Sequence, residues 1–298
     1  MKIVITGGSG KLAQYLAPAL AQEHEILLFD KQQPQYDKFS WVQGQITNRA
    51  KLREAFRGAD AVIHLAALRS RYNHLPMKVM ETNALGTFCV LETARCEGVK
   101  KLLLSSSDAV LGIAQSTTEL APEYLPIDEK HPLKPQDPYG ISKMLGEEMC
   151  CCYAEGHGMD IMALRFSNIF SPGDAPIYLA DIKDPLVRRK SLWAWVHVKD
   201  AVQAILCALV SNINGYNVFY IAAEDVCVLN MNVPKLLATY FPKTLIRKSL
   251  FGKESLIDCS KAKHRLGFQP RMRFEETMAM GRSELSSKNH RAIKSMKS

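Results

Sequence analysis

A tyrosine and a lysine four residues apart, Tyr139 and Lys143, are the side chains with the clearest chemical use in this sequence. Positions i and i+4 of a helix lie on one face, so both side chains reach the same pocket. A phenol has a pKa of about 10 and is a poor base at neutral pH, but a nearby lysine cation favours its ionised form. The pair can therefore exchange a proton with a substrate hydroxyl. Chance produces the same spacing, so the surrounding sequence has to decide.

Three serines, Ser105, Ser106 and Ser107, follow the strand-like run 101–104. A serine at the carboxyl end of a strand faces the ligand crevice of an α/β sheet and can hydrogen-bond a reacting hydroxyl or carbonyl. Serine clusters also form ordinary turns, and two of the three are open to that interpretation.

The N-terminus predicts a strand, a glycine loop, a helix and a second strand, over residues 2–5, 6–10, 11–22 and 26–29. Gly7 permits a tight turn, and Gly10 lets a pyrophosphate approach the start of the helix, where free N–H groups favour anions. Asp30, 23 residues after Gly7, can accept both hydroxyls of an adenosine ribose and would repel a 2′-phosphate. This pattern predicts an NAD site in preference to an NADP site.

Further apolar runs at 41–42, 61–65, 101–104 and 161–164 alternate with helical segments. Their near-continuous apolar character suits a parallel sheet that is covered on both faces. We therefore predict an α/β fold with a Rossmann-type doubly wound parallel sheet and a small C-terminal substrate-capping lobe. Residues 1–167 and 193–223 are assigned to the NAD-binding domain, 168–192 and 224–281 to the lobe, and 282–298 to a basic tail.

The loop after the run 61–65 carries candidates for both ligands. Ala66 and Ala67 are small enough to let a cofactor lie against the backbone. Arg69 and Arg71 can hold an anionic substrate group bidentately. It is equally consistent with the sequence that Arg69 and Arg71 are ordinary solvated arginines.

Composition argues against several other classes of protein. The net charge of +8 has no aromatic-interleaved basic stripe beside it, so no nucleic-acid partner is expected. No apolar run is long enough to span a bilayer, and the first residues enter a strand directly, so we expect no membrane partner and a cytoplasmic location. The eight cysteines form no Cys-x-x-Cys pair, which argues against a disulfide framework and a structural metal site.

The motifs stand in an order that resembles the extended short-chain dehydrogenase/reductases, in particular the NAD-dependent epimerase/dehydratase group. They cover most of the chain and lie at residues 6–13, Asp30, 60–67, 83–87, 105–107, 138–143, 164–168 and 262–270. The resemblance implies that Tyr139 is the general acid/base and that Lys143 holds the nicotinamide ribose and lowers the pKa of the tyrosine. Ser107 is then expected to bind the reacting oxygen. Asn83 is expected to support the active-site backbone, and Asn168 to face the substrate.

The resemblance also implies which residues line the NAD site. They follow the carboxyl ends of the predicted strands or belong to the catalytic group: Gly7, Ser9, Gly10, Lys11, Leu12, Asp30, Gln45, Ile46, Leu65, Ala66, Ala67, Asn83, Ser105, Tyr139 and Lys143. Substrate contacts are expected from Arg69, Arg71, Ser107 and Asn168. No metal ligand is predicted, and a homodimer through the helix that carries Tyr139 agrees with the family.

Two departures from the family pattern bear on the ligands. Gln45 stands where the family usually has an aspartate near the adenine. Nucleotide-sugar enzymes of the family carry a longer segment with Arg-Asp-Phe before a Val-His-Val-x-Asp motif. Here a short basic insert is followed by Trp193, Ala194 and Trp195. The part of the substrate pocket that would hold a nucleotide is therefore expected to be reduced.

Together these features predict an NAD-dependent enzyme that transfers hydride at a secondary alcohol carbon of a sugar or nucleotide sugar, as epimerases and dehydratases of the family do. An NAD-linked dehydrogenase of a free sugar or sugar acid is the alternative, supported by the short insert and by Arg69 and Arg71. A non-catalytic NAD-binding sensor is the third possibility.

The carboxylate of Asp30 should make NAD bind at least about tenfold more tightly than NADP. Placing a phosphate against an unpaired carboxylate costs about 1.4 kcal/mol or more. Titration calorimetry with both dinucleotides measures the difference, and Asp30→Ala should narrow it. Equal dissociation constants for the two dinucleotides in the unaltered protein would contradict this assignment.

Overall fold

The computed structural model describes residues 1–35, 38–69, 74–182 and 184–279. Arg71 and the basic tail 282–298 lie outside the described residues. The strands are β1 (Lys2–Thr6), β2 (Glu25–Asp30), β3 (Ser40–Gln43), β4 (Ala61–His64), β5 (Lys101–Ser107), β6 (Tyr124–Leu125), β7 (Asp160–Phe166), β8 (Asn168–Phe170), β9 (Trp195–His197), β10 (Tyr216–Ile221) and β11 (Leu245–Ile246). Seven of these strands form one parallel sheet in the order β10-β7-β5-β4-β1-β2-β3.

The chain leaves β1 towards β2 and β3 on one side of the sheet and later returns to place β4, β5, β7 and β10 on the other side. The order therefore reverses between β1 and β4. Ligands of open α/β sheets bind at such a reversal, outside the carboxyl ends of the strands. The same edge carries the loops that follow β1, β4 and β5.

Strand β1 shows why the sheet has to be buried on both sides. Val4 points into one hydrophobic core, and its neighbours Ile3 and Ile5 point into the other, all fully buried. Successive side chains of a strand alternate between faces, so a run without polar residues requires cover on both. The predicted doubly wound α/β fold is confirmed.

The helices that provide this cover follow the strands in turn. They are α1 (Lys11–Leu20), α2 (Arg49–Phe56), α3 (Pro76–Met80), α4 (Gly86–Cys96), α5 (Pro138–His157), α6 (Ala175–Asp181), α7 (Val198–Val210), α8 (Val233–Tyr240) and α9 (Ser260–Leu266). A π-helical segment, Glu81–Leu85, joins α3 to α4. Helices α1 and α7 contribute to one core, and α2, α4 and α5 contribute to the other.

Two short strand pairs lie outside the main sheet. Strand β8 pairs with β9, and β6 pairs with β11, both in parallel. Residues 195–197 are therefore paired with the segment that follows β7, and the chain rejoins the main sheet only at Tyr216. The division of the chain into an NAD-binding domain and a lobe remains a prediction.

No helix among the described residues is both long and apolar enough to cross a bilayer. The eight cysteines are free thiols, and Cys89, Cys150, Cys227 and Cys259 are buried. Cysteine behaves here as a small core residue.

Replacing a buried ring between the strand pair β8–β9 and helix α6 should cost far more stability than replacing an exposed one. Phe170 is 1% exposed and its ring contacts Tyr178 and Trp195, whereas Phe251 is 67% exposed. Phe170→Ala should lower the free energy of unfolding by about 3–5 kcal/mol because it leaves a cavity. Phe251→Ala should change it by no more than about 0.5 kcal/mol. Urea unfolding of both variants measures the difference, and similar midpoints would contradict this packing.

Candidate active site

The glycine loop between β1 and α1 is pressed against the end of β4. Gly7 has a φ of 75°, and a Cβ atom at this position would lie 2.7 Å from the backbone nitrogen of Ala66. The N–H of Gly7 donates to the carbonyl of Phe29 at 2.9 Å. A left-handed backbone and a backbone neighbour at this distance leave room only for glycine. The loop is thereby held at the point where the strand order reverses.

Asp30 ends β2 beside this loop. One oxygen of its carboxylate accepts the N–H of Ser9 at 3.0 Å, and the other accepts the N–H of Gln32 at 3.1 Å. A carboxylate has about four acceptor positions, so each oxygen keeps capacity for a ribose hydroxyl. Helix α1 begins at Lys11 with no side-chain cap, and an uncapped first turn leaves N–H groups for an anion. The residues present therefore fit the adenosine and pyrophosphate part of NAD.

The other residues predicted at the cofactor site are placed along the same edge. Leu65, Ala66 and Ala67 are half-buried directly after β4. Beyond β3, Gln45 is exposed and Ile46 is buried. Among the cofactor residues that the resemblance implied, Lys11 has a partner that sequence reasoning missed. Its ammonium pairs with Asp174, in the insert after β8, at 2.6 Å.

The start of α5 is fixed by Asp137, which caps the helix. One carboxylate oxygen of Asp137 accepts the N–H of Tyr139 at 3.0 Å, and both accept that of Gly140 at 3.3 Å. A Cβ atom on Gly140 would lie 2.6 Å from the carbonyl oxygen of Ala109. This close packing brings the helix start against the loop that follows Ser107.

Tyr139 and Ser107 lie close to each other at this junction. Burial raises the pKa of Tyr139 to about 12, and the hydroxyl of Ser107 and the charge of Arg69 oppose the rise only in part. The predicted lowering of this pKa below its ordinary value is therefore not observed. Desolvation disfavours the phenolate by more than the neighbouring groups stabilise it.

Lys143 lies one helical turn further along α5 and is 7% exposed. Its ammonium donates to the carbonyl of Ser105 at 2.7 Å and lies 5.7 Å from the centre of the Tyr139 ring. Burial lowers the pKa of Lys143 to about 8. Tyr139, Lys143 and Ser107 thus converge at the carboxyl end of β5, as the resemblance implies.

Asn83 connects the loop after β4 to helix α5. Its side-chain oxygen accepts the N–H of Leu68, and its amide donates to the carbonyl of Leu68, both at 2.8 Å. The same amide donates to the hydroxyl of Ser142 at 3.0 Å, and Ser142 donates to the carbonyl of Tyr139 at 2.7 Å. Asn83 belongs to the π-helical segment, a feature often found at functional sites.

A buried row of polar residues that sequence reasoning missed continues from Asn83 to β1. The hydroxyl of Thr87 donates to the Asn83 carbonyl at 2.5 Å, so it accepts from Nε2 of His64 at 3.0 Å. Nδ1 of His64 then accepts from the hydroxyl of Thr6 at 2.6 Å. Burial lowers the pKa of His64 to about 3, so the imidazole is neutral. A histidine inside an apolar strand is the signal that could have revealed this row.

The predicted substrate residues are less closely grouped. Arg69 is exposed, although its charge acts on Tyr139. Asn168 is half-buried, and its amide donates to the carbonyl of Ala194 at 3.3 Å. Within the described ranges, no three His, Cys, Asp or Glu side chains are arranged to hold a metal ion.

The fold and this site define a dinucleotide-binding α/β protein. The sequence profile of the NAD dependent epimerase/dehydratase family matches residues 3–222, and the chain belongs to this family. Its description as NAD dependent agrees with the cofactor that the glycine loop and Asp30 predict.

Two curated relatives and one solved structure illustrate the range of similar proteins. A UDP-glucose 4-epimerase of Streptomyces lividans is 29% identical over 56% of this chain and 52% of its own length. A uronate dehydrogenase of Pseudomonas putida is 24% identical over 81% of this chain and 84% of its own. A short-chain dehydrogenase/reductase superfamily protein from Agrobacterium tumefaciens, solved with bound NAD, has a TM-score of 0.76 and 22% identity over 98% of this chain and 100% of its own. The first curated relatives are matched over little more than half of their lengths, 58% and 52%.

Gly7→Ala should destabilise the protein more than Gly58→Ala, although both glycines have a positive φ, 75° and 69°. An added methyl group at Gly58 has no neighbour within 4 Å, so that variant carries only the cost of a left-handed backbone, about 1–2 kcal/mol. At Gly7 the contact with Ala66 is added to this cost. Urea unfolding and an NAD titration should show the larger loss, in stability and in affinity, for Gly7→Ala alone. Equal losses would show that the loop does not need this close approach.

Proposed function

We propose that this protein transfers hydride between NAD and a secondary alcohol carbon of a sugar or nucleotide sugar. The observation that carries the proposal is the convergence of Tyr139, Ser107 and Lys143 at the carboxyl end of β5, beside the glycine loop. Membership of the NAD dependent epimerase/dehydratase family supports it.

In the proposed reaction Tyr139 exchanges the proton of the substrate hydroxyl, and Ser107 holds the reacting oxygen by a hydrogen bond. Asn83 and Ser142 keep the backbone of Tyr139 in place through their hydrogen bonds. Lys143 would hold the ribose that carries the nicotinamide ring of NAD. NAD supplies the hydride acceptor when it is bound.

The cofactor is proposed to lie across the edge formed by the loops after β1, β2 and β4. Gly7, Gly10 and Asp30 carry this part of the proposal. Further contacts are proposed for Ser9, Lys11, Leu12, Gln45, Ile46, Leu65, Ala66, Ala67, Asn83 and Ser105.

A dehydrogenase of a free sugar or sugar acid is the second candidate. Trp193 stands in the segment where nucleotide-sugar enzymes carry Arg-Asp-Phe, and it is fully buried. Its indole N–H donates to the carbonyl of Pro185 at 2.6 Å, and its ring packs against Tyr240 and Phe241. A buried tryptophan in this segment supports the proposal of a reduced nucleotide pocket and hence a substrate without a nucleotide. The similarity to a uronate dehydrogenase over 81% of the chain also favours it.

Incubation with NAD and a panel of free sugars, sugar acids and nucleotide sugars distinguishes the candidates. A dehydrogenase produces NADH at 340 nm in proportion to substrate consumed, whereas an epimerase converts substrate without net NADH. A non-catalytic NAD-binding sensor binds the dinucleotide and converts none of the panel. Arg69, Arg71 and Asn168 are the proposed substrate contacts in either enzyme.

The remaining assignments rest on the sequence and the family. The cytoplasmic location, the basic tail and the absence of a nucleic-acid partner stay predictions. A homodimer is proposed through α5, where Leu145 is 38% exposed. Sedimentation of the full chain measures its oligomeric state.

Tyr139→Phe should lower turnover by about 10²- to 10⁴-fold because it removes the group that exchanges the proton. The fold and NAD affinity should survive, since the ring is retained. Lys143→Met should lower both turnover and NAD affinity, and the double variant should lose less than the sum of the two effects, because both act on one proton transfer.

Turnover and NAD titrations of the three variants measure these effects with any substrate found in the panel. Near-normal turnover of Tyr139→Phe would remove this helix from the chemistry and would overturn the proposed function.

A further inference from the structure

A buried ion pair joins helix α5 to the sheet below the proposed active site. Glu147 of α5 and Arg165 of β7 are both 4% exposed. Nε of Arg165 donates to both carboxylate oxygens of Glu147, at 2.9 and 3.2 Å, and Nη2 donates at 2.7 Å. The hydroxyl of Ser106 donates to the same carboxylate at 2.5 Å. The carboxylate is therefore fixed by two strands at once.

The position of this pair connects it with the proposed chemistry. Glu147 lies one helical turn after Lys143, so the two side chains share a face of α5. Lys143 bonds the carbonyl of Ser105, and Glu147 bonds the side chain of Ser106, the next residue of β5. Consecutive residues of one strand therefore hold two consecutive turns of the helix.

Stability alone does not account for such a pair. Removing two charges from water is costly, and well-packed apolar residues in the same place are often as stable or more so. A buried carboxylate next to a buried ammonium does something that an apolar residue cannot do: it stabilises the charged form of the ammonium.

We propose that Glu147 is a positioning residue that fixes α5 on β5 and keeps the ammonium of Lys143 charged. The inference rests on the proposed function for what Lys143 does. It adds a residue that touches neither substrate nor cofactor and acts through Lys143.

The described titratable groups that face Lys143 come from two elements. On α5 they are Tyr139, Glu147 and Cys150, and on β4 it is His64. Burial raises the pKa values of Tyr139 and Cys150 and lowers that of His64, so these three groups are neutral at pH 7. The carboxylate of Glu147 is therefore the group in this set whose charge can act on Lys143.

The groups that face Glu147 come from three elements. Besides Lys143 and the neutral Cys150 on its own helix, they are Arg165 on β7 and Tyr216 and Tyr220 on β10. Burial raises the pKa of both tyrosines, so they are neutral. Arg165 keeps its charge because the carboxylate of Glu147 raises its pKa. The carboxylate thus lies between two cations.

Removing the charge of Glu147 should lower the pKa of Lys143. Burial lowers the pKa of Lys143 to about 8, and the charge of Glu147 is the largest influence that raises it. In Glu147→Gln the raising influence is lost, so the pKa should fall further and Lys143 should lose its proton at a lower pH. An opposite charge within about 4–6 Å of a titrating group is worth about one pKa unit or more.

The test is a pH titration of the full chain by NMR of lysine side chains labelled with ¹³C at Cε, without cofactor or substrate. The resonance of Lys143 is identified by its loss in Lys143→Met. We expect a midpoint near 8 in the unaltered protein, and a midpoint about one pH unit or more lower in Glu147→Gln. An unchanged midpoint overturns the inference.

Two control variants separate charge from packing. Glu148→Gln makes the same chemical change one residue further along, at an exposed position, and should leave the midpoint in place. Ser106→Ala removes the hydrogen bond to Glu147 and keeps the carboxylate, so it should also leave the midpoint in place. A downward shift of similar size in either control would contradict the role of the Glu147 charge.

A further variant covers the case in which Glu147→Gln does not fold because Arg165 is left unpaired. Glu147→Gln combined with Arg165→Gln leaves no unpaired guanidinium at this position, and the Lys143 midpoint should again be lower than in the unaltered protein. The NMR result requires neither NAD nor turnover, so its failure is distinct from a failure of Tyr139→Phe to lose activity.

Discussion

Buried polar groups need partners, because an unpaired donor or acceptor away from water costs about 1–3 kcal/mol. In this protein that requirement links the end of β1 to the start of helix α5. The row from Thr6 through His64 and Thr87 reaches Asn83, and Asn83 continues through Ser142 to the backbone of Tyr139. Whether each hydroxyl or ring nitrogen of the row donates or accepts towards one neighbour is fixed by its bond to the other. Removing one member of the row therefore leaves its direct neighbour with an unpaired buried group.

Burial also sets the charge states of Tyr139 and Lys143, the proposed catalytic pair. It acts against charge of either sign, so it raises the pKa of Tyr139 to about 12 and lowers that of Lys143 to about 8. The two pKa values therefore move apart, that of the phenol upwards and that of the ammonium downwards. At neutral pH the pair is a neutral phenol beside an ammonium whose pKa, about 8, lies close to neutral pH. This is why a carboxylate one turn away is important for the ammonium.

Sequence reasoning succeeded where the determinants are local. The apolar runs predicted the strands of the main sheet because a strand buried on both faces excludes polar residues, as Val4 and Ile5 illustrate. The positions of Gly7 and Asp30 were predictable because the turn, the helix and the second strand lie within one βαβ unit. Tyr139 and Lys143 were selected by their spacing on a single helix, and their catalytic role stays a proposal.

Contacts between distant parts of the chain were not predictable in this way. Nothing near Glu147 in sequence indicates that it meets Arg165 on another strand. The short strands β8 and β9 carry too few residues to show a periodicity. The pKa of Tyr139 was misjudged because spacing reveals the neighbouring cation but does not reveal how far the phenol is removed from water.

The ion pair between Lys11 and Asp174 has a kinetic meaning. It bridges the start of α1 and the insert that follows β8, which are 163 positions apart in sequence, so it ties the insert to the cofactor loop. Lys11 is 48% exposed and Asp174 is 18% exposed, and a pair so accessible to solvent is worth at most about 1 kcal/mol. A barrier of this size lengthens the residence time of a dinucleotide only about fivefold. A tie of this strength would slow the release of a bound dinucleotide without preventing it.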